Sequence, residues 1–154
     1  MATLKGRFSE SVIAVSEFRS EVTVTVRKEA LSEICVFLRD NLGYNLLVDV
    51  TAVDHLGEEH RFMMVYHLCS IPKKERLRLK APVWERDPTI DSLCTIWKSA
   101  NWLEREVFDL FGITFNNHPD LRRILMPTEW EGHPLRKDYP LQGPDREPYR
   151  GRLS

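Results

Sequence analysis

The 154-residue sequence has no hydrophobic run that approaches the roughly 18 apolar residues of a transmembrane helix, so we expect no membrane span. The N-terminal segment Met1–Glu10 also lacks an apolar core, which argues against a signal peptide. Positive charge is not in excess, because 22 Lys and Arg are balanced by 23 Asp and Glu for a net charge of -1. This balance argues against a free-standing nucleic-acid-binding protein and against a polybasic membrane anchor.

Cysteine is scarce: Cys35, Cys69 and Cys94 lie far apart, and no pair has the CxxC spacing of a zinc or iron–sulfur site. The seven glycines form neither a GxGxxG nor a GxxxxGK loop, and the HExxH and GxSxG motifs are missing. We therefore interpret the cysteines as small apolar residues in a reducing cytoplasm and expect no metal site.

Four charged residues of one predicted helix are the first candidates for chemistry: Glu104, Arg105, Glu106 and Asp109. Paired carboxylates can act as acid and base if burial separates their pKa values. A helix with so many charges is more often a solvated or interface face, and Glu104 is well placed to cap the helix that opens at Asn101. His118 and His133 could ligate a metal, but each precedes a proline and their separation fits no compact ligand motif.

Alternation and helical spacing of apolar residues predict an α+β domain. Strands are expected at Ser11–Phe18, Glu21–Arg27, Tyr44–Val53, Phe62–Leu68 and Glu75–Ala81. Helices are expected at Lys28–Leu42, at Ile90–Trp97, and from Asn101 to a stop at Gly112, with Trp102, Leu103, Val107, Leu110 and Phe111 on the apolar side. This order predicts a mixed or antiparallel sheet with helices packed on one face.

The C-terminal part differs in composition, because six of the nine prolines follow residue 115. Each proline removes a backbone donor, which excludes a long helix or a central strand there. We therefore divide the chain into an α+β domain, residues 1–115, and an extended proline-rich C-terminal docking tail, residues 116–154. The large apolar side chains of the tail must be covered by its own domain or by another subunit. Truncation after Phe115 is expected to leave a folded domain that no longer assembles.

The segment WLEREVFDLFGI, residues 102–113, resembles the signature of the 30 kDa family, the C subunits of respiratory complex I, the proton-pumping NADH:quinone oxidoreductase. The resemblance continues through HPDLRRIL, residues 118–125, and EGHPLRKDYPL, residues 131–141. It implies a subunit with no catalytic, cofactor or metal residues of its own, in a complex that carries FMN and iron–sulfur clusters and uses NADH and quinone. It also implies a place in the peripheral arm on the cytoplasmic side of the bacterial inner membrane, with membrane contact only through the complex.

By this resemblance the tail lies along the D subunit (49 kDa type), which forms the quinone pocket together with the B subunit. The helix and tail residues expected at the subunit interface are Glu104, Arg105, Glu106, Asp109, His118, Arg122, Arg123, Leu125, His133, Leu135, Arg136, Lys137, Asp138 and Leu141. Two alternatives stay open. The chain could be an enzyme that uses Glu104, Glu106, His118 or His133, or a homologous subunit of a complex that takes electrons from ferredoxin, a deazaflavin or hydrogenase chemistry.

Overall fold

The computed structural model describes residues 2–141 and, within them, the side chains of Leu4 and of residues 6–141. The helices are α1 (Ala2–Arg7), α2 (Leu31–Asp40) and α3 (Ala100–Phe111), with a 3₁₀ turn at Lys28–Ala30. The strands are β1 (Val12–Phe18), β2 (Glu21–Val26), β3 (Leu46–Asp54), β4 (Phe62–Ser70), β5 (Glu75–Val83), β6 (Thr89–Asp91) and β7 (Thr114–Asn116). Within residues 2–141, no helix combines the length and the apolar character needed to cross a bilayer. Residues 142–154 of the predicted tail lie outside the described residues.

Five strands form one sheet in the order β1-β2-β5-β4-β3, and β6 and β7 form a separate parallel pair. In the larger sheet all neighbours are antiparallel except β2 and β5, which place Val24 opposite Leu79. A parallel pair needs a crossover connection, which α2, β3 and β4 supply here. The mixed sheet with helices confirms the predicted α+β class.

Alternation along the strands decides which face of the sheet is buried. In β5 the apolar side chains face the core and the basic ones face away, with Leu77, Leu79, Ala81 and Val83 buried. From α2, Ile34, Cys35 and Leu38 enter the same core. The helices therefore cover the apolar face, as the strand pattern predicted.

Two local predictions are wrong, and one short helix was missed. Residues 90–97 do not form a helix, because Ile90 belongs to β6 and pairs with Phe115 of β7, and turns follow. The apolar residues of this segment are buried although they form no helix, and their spacing along the sequence resembles that of one helix face. Helix α3 has Ser99 at its N-cap position with no side-chain cap, so Asn101 and Glu104 do not form the expected capping pair. The predicted stop is confirmed, since Gly112 ends α3 at φ +73°. The short helix α1 was not predicted.

Candidate functional site

Asp109 on α3 is the main attachment point for tail residues. One oxygen of its fully buried carboxylate accepts a hydrogen bond from Arg123 Nη1 at 2.6 Å. The other accepts three bonds of 2.8–3.0 Å from the consecutive backbone N–H groups of Ile124, Leu125 and Met126. Burial alone would raise the pKa of Asp109, but these hydrogen bonds outweigh it and keep the pKa below its ordinary value. The charged carboxylate thus fixes this segment on the helix.

Arg105 of α3 also holds the tail, but here the helix side chain donates the hydrogen bonds and the tail backbone accepts them. Its guanidinium donates to the backbone carbonyls of Arg122 at 3.0 Å and Arg123 at 3.1 Å. The same guanidinium lies 5.1 Å from the ring centroid of Trp102, a cation–π distance. Arg105 is only 7% exposed, so this cation makes these hydrogen bonds inside the chain.

Tail side chains also cap the C-terminal end of α3, where the last carbonyls have no partner within the helix. Arg136 Nε donates to the carbonyl of Phe111, and its positive charge suits the negative end of the helix dipole. His133 Nδ1 lies 2.9 Å from the carbonyl of Asp109, and burial lowers the pKa of this ring. The backbone of Gly112 packs directly against the His133 ring, because a Cβ atom added to Gly112 would come within 2.5 Å of that ring.

A second charge cluster joins the tail to the β3–β4 hairpin. The Arg61 side chain is only 1% exposed. Its guanidinium donates to both carboxylate oxygens of Asp54 at 2.9 Å. It also donates to both carboxylate oxygens of Asp138 at 2.6 and 2.9 Å, and it contacts Glu85. The Lys137 N–H adds a bond of 2.8 Å to Asp54. Burial alone would raise the pKa of Asp54, but the bonds from Arg61 and Lys137 lower it, and the bond from Arg61 also lowers the pKa of Asp138.

Glu104 occupies a different environment, beneath the turn that follows β6. Its carboxylate accepts hydrogen bonds from the Ser92 hydroxyl at 2.6 Å and the Leu93 N–H at 2.7 Å, and the Cys94 sulfur lies 3.4 Å away. Among the described residues no Lys or Arg forms an ion pair with it, and His118 Nε2 lies 3.9 Å away. Burial raises the pKa of Glu104, and the hydrogen bonds offset only part of this effect.

The donor atoms of Cys94, Glu104 and His118 lie within 4.8 Å of one another, a spacing that a metal ion could bridge. His118, however, uses both ring nitrogens, because Nδ1 accepts the Asp120 N–H at 3.0 Å and Nε2 lies 3.1 Å from the Asn101 carbonyl. Nε2 must carry the proton toward a carbonyl, so it offers no lone pair. Burial raises the pKa of the Cys94 thiol to about 11, which disfavours the thiolate. This arrangement is a hydrogen-bonded core cluster.

The structure divides the residues predicted for the interface into an inward group and an outward group. Glu104, Arg105 and Asp109 are buried within the chain, so most of the charged face expected on α3 is internal. Glu106 is exposed, and it cannot form a carboxylate pair with Glu104 because side chains two positions apart on a helix diverge by roughly 200°. Three tail leucines also face outward, because Leu125 is 59% exposed, Leu135 is 52% exposed and Leu141 is fully exposed.

Several residues of the site were missed by sequence reasoning. Asp54 and Arg61 were read only as parts of a strand and of the loop before the next strand, and no motif marks them. A weak signal existed for Trp102, since it opens the signature segment, but its spacing predicted a buried residue. It is 62% exposed.

Residues 24–145 match the family model described as respiratory-chain NADH dehydrogenase, 30 Kd subunit. The chain is 64% identical to the C subunit of the NADH-quinone oxidoreductase of Geotalea uraniireducens, over 98% of this chain and 92% of that protein. It is 66% identical to the protein of the same name from Geobacter sulfurreducens, over 98% of this chain and 94% of that protein.

Two solved structures have a similar fold. The trypsin-resistant fragment (1-134) of Nqo5 superposes with a TM-score of 0.70 at 32% identity, covering 78% of this chain and 97% of that one. A chain of the membrane-bound sulfane sulfur reductase, an archaeal respiratory membrane complex, superposes with a TM-score of 0.77 at 21% identity, covering 91% and 83%. The second likeness concerns the fold alone. The matched family model and the identities of 64% and 66% show that the chain belongs to the 30 kDa subunit family of respiratory-chain NADH dehydrogenases.

Proposed function

We propose that this chain is a non-catalytic core subunit of the peripheral arm of a proton-pumping NADH:quinone oxidoreductase. In this role it supports electron transfer from NADH to quinone by holding neighbouring subunits in place. The supporting observation is the near full-length identity to proteins named as the C subunit of NADH-quinone oxidoreductase. We assign FMN, the iron–sulfur clusters and the NADH and quinone sites to other subunits of the complex. The chain would lie on the cytoplasmic side of the bacterial inner membrane and reach the membrane only through the complex.

The proposed partner of the tail is the D subunit (49 kDa type), with the B subunit nearby. The contacts within the chain support this role, because buried charges of α3 and of the β3–β4 hairpin order residues 122–138 before any partner binds. An ordered segment loses less conformational entropy on binding than a flexible one. These hydrogen bonds within the chain leave the side chains of Leu125 and Leu135 exposed, where they are available for burial against a partner.

The direct test is to tag the full chain in its host, solubilise the membranes gently and identify the proteins that copurify. We expect a D-type subunit among them, together with NADH:quinone oxidoreductase activity of the recovered complex. Recovery of the chain as a monomer with turnover of its own would contradict the proposal. Recovery of a complex that oxidises reduced ferredoxin but not NADH would contradict the assignment of the electron donor.

A further inference from the structure

Trp102 is an exposed aromatic residue on a helix that is otherwise well packed. Its side chain is 62% exposed, whereas Val107 and Phe111 of the same helix are buried in the core. A large aromatic residue left in water at the start of a packed helix carries a hydrophobic cost that burial against a partner would remove. Tryptophan is also among the residues that contribute most to binding at protein interfaces.

The ring of Trp102 is held in place before any partner binds. The Arg105 guanidinium lies 5.1 Å from the ring centroid, and this guanidinium is itself fixed by the carbonyls of Arg122 and Arg123. One buried cation therefore positions both the indole and the tail segment beside it. Such preorganisation reduces the entropy that a side chain loses on binding.

Trp102 belongs to a continuous outward surface. Residues four apart on a helix share a face, so Trp102, Glu106 and Leu110 lie in one row along α3. The Leu125 N–H bonds to Asp109, and the Leu135 N–H donates to the Leu110 carbonyl at 3.0 Å, which brings both leucines beside this row. We name this the α3–tail surface, made of the exposed Trp102, Glu106, Leu125 and Leu135 and of Leu110, which is half-buried and also packs against the core.

We propose that Trp102 anchors the contact with the D-type subunit, and that this subunit presents an apolar surface with a Lys or Arg opposite Glu106. The inference rests on the proposed function and names the residue at which binding is concentrated. Within residues 2–141 the exposed Glu106 carboxylate has no ion-pair partner, so a cation on the other side would complement it. A second copy of this chain fits less well, because two-fold pairing would add another unpaired carboxylate instead of a cation.

The test compares tagged full-length variants in the host membrane. For Trp102→Ala we expect at least about a tenfold loss of D-type subunit recovered per tagged chain, as for an interface hot spot. Trp102→Phe should retain most of the recovery, because an aromatic ring still stacks on Arg105. The matched control is Phe18→Ala on β1, since Phe18 is 73% exposed and lies 5.3 Å from the Arg19 guanidinium. This control should recover the D-type subunit within about twofold of the unmodified chain.

A second measurement detects the contact itself by covalent crosslinking, and not by the amount of D-type subunit recovered. The photo-crosslinking residue p-benzoylphenylalanine is placed at position 102 or, as the control, at position 18. We expect position 102 to crosslink to the D-type subunit and position 18 not to do so. If the unmodified chain recovers the D-type subunit, the proposed function stands, and unchanged recovery by Trp102→Ala then overturns only the role of Trp102. A crosslink from position 102 to a second copy of the chain overturns the proposed occupant.

Discussion

Replacing Asp109 by alanine is expected to loosen residues 123–126 on α3 and to leave the sheet folded. The bonds from Arg105 to the carbonyls of Arg122 and Arg123 remain. The substitution removes four hydrogen bonds, three from consecutive backbone N–H groups and one from Arg123. A hydrogen bond to a charged group contributes roughly 1.5–3 kcal/mol, but water can reach the half-exposed tail and replace part of this loss. We therefore expect the free energy that holds the segment to fall by about 3–5 kcal/mol, as when one partner of a buried ion pair is removed.

Limited trypsin digestion followed by mass spectrometry measures this loosening, because Arg122 and Arg123 are cleavage sites that must leave α3 before the protease can bind. A loss of about 3–5 kcal/mol predicts cleavage roughly a hundred- to several thousandfold faster than in the unmodified chain. The matched control is Asp120→Ala, which removes an exposed ion pair of 2.9 Å with Arg122. Such surface pairs contribute little, so the control should change cleavage by less than about fivefold. Equal rates in the two variants would refute the assignment of Asp109 as the attachment point.

Three further perturbations test other parts of the site. Burial opposes ionisation of Asp54, but hydrogen bonds from Arg61 keep the pKa values of Asp54 and Asp138 low in the folded state. The two carboxylates therefore stabilise the fold above the ordinary pKa of about 3.9, and this contribution is lost as pH falls through the folded pKa values. Urea midpoints measured below about pH 5 should fall accordingly, and a flat profile would contradict this. Burial raises the folded pKa of Glu104, so its contribution is present below the ordinary pKa of about 4.3 and is lost as pH rises through the raised value. Glu104→Gln should therefore gain stability relative to the unmodified chain as pH rises, in parallel urea titrations. Gly112→Ala places a methyl group at φ +73° and within 2.5 Å of the His133 ring. A backbone penalty of about 1–2 kcal/mol should lower the melting temperature measured by calorimetry by about 2–8 °C in a chain of this size. An unchanged melting temperature would argue against the close packing there.

The larger part of the fold could be predicted from the sequence, because the long strands carry a clear period. Strands such as β4 and β5 span nine residues each, long enough for alternation to show which face is buried. Strands β6 and β7 span three residues each, too few to show any period, and the apolar spacing of residues 90–97 then favoured a helix that does not form. Short elements are determined by tertiary contacts rather than by local pattern.

The candidate site could be predicted only in part, because its contacts are distant in sequence. The family signature indicated the right helix and the right tail residues, but it did not show which charges are internal. Lys137 and Asp54 are 83 positions apart, and no local pattern could predict their hydrogen bond. The orientation of α3 was misjudged for a related reason, since it buries Glu104 and Asp109 against polar partners and leaves Trp102 outside.

These internal contacts change what a truncation experiment can show. The division at residue 115 stays a prediction, but removal of the following residues would leave the buried Asp109 without four hydrogen-bond donors and Arg61 without Asp138. We therefore expect truncation after Phe115 to lower the stability of the remaining domain as well as to prevent assembly. A failure of the truncated chain to assemble could then reflect either loss of the docking surface or loss of stability. Substitution of Trp102 separates the two effects, because it changes the outward surface and leaves the hydrogen bonds of Asp109 and Arg61 in place.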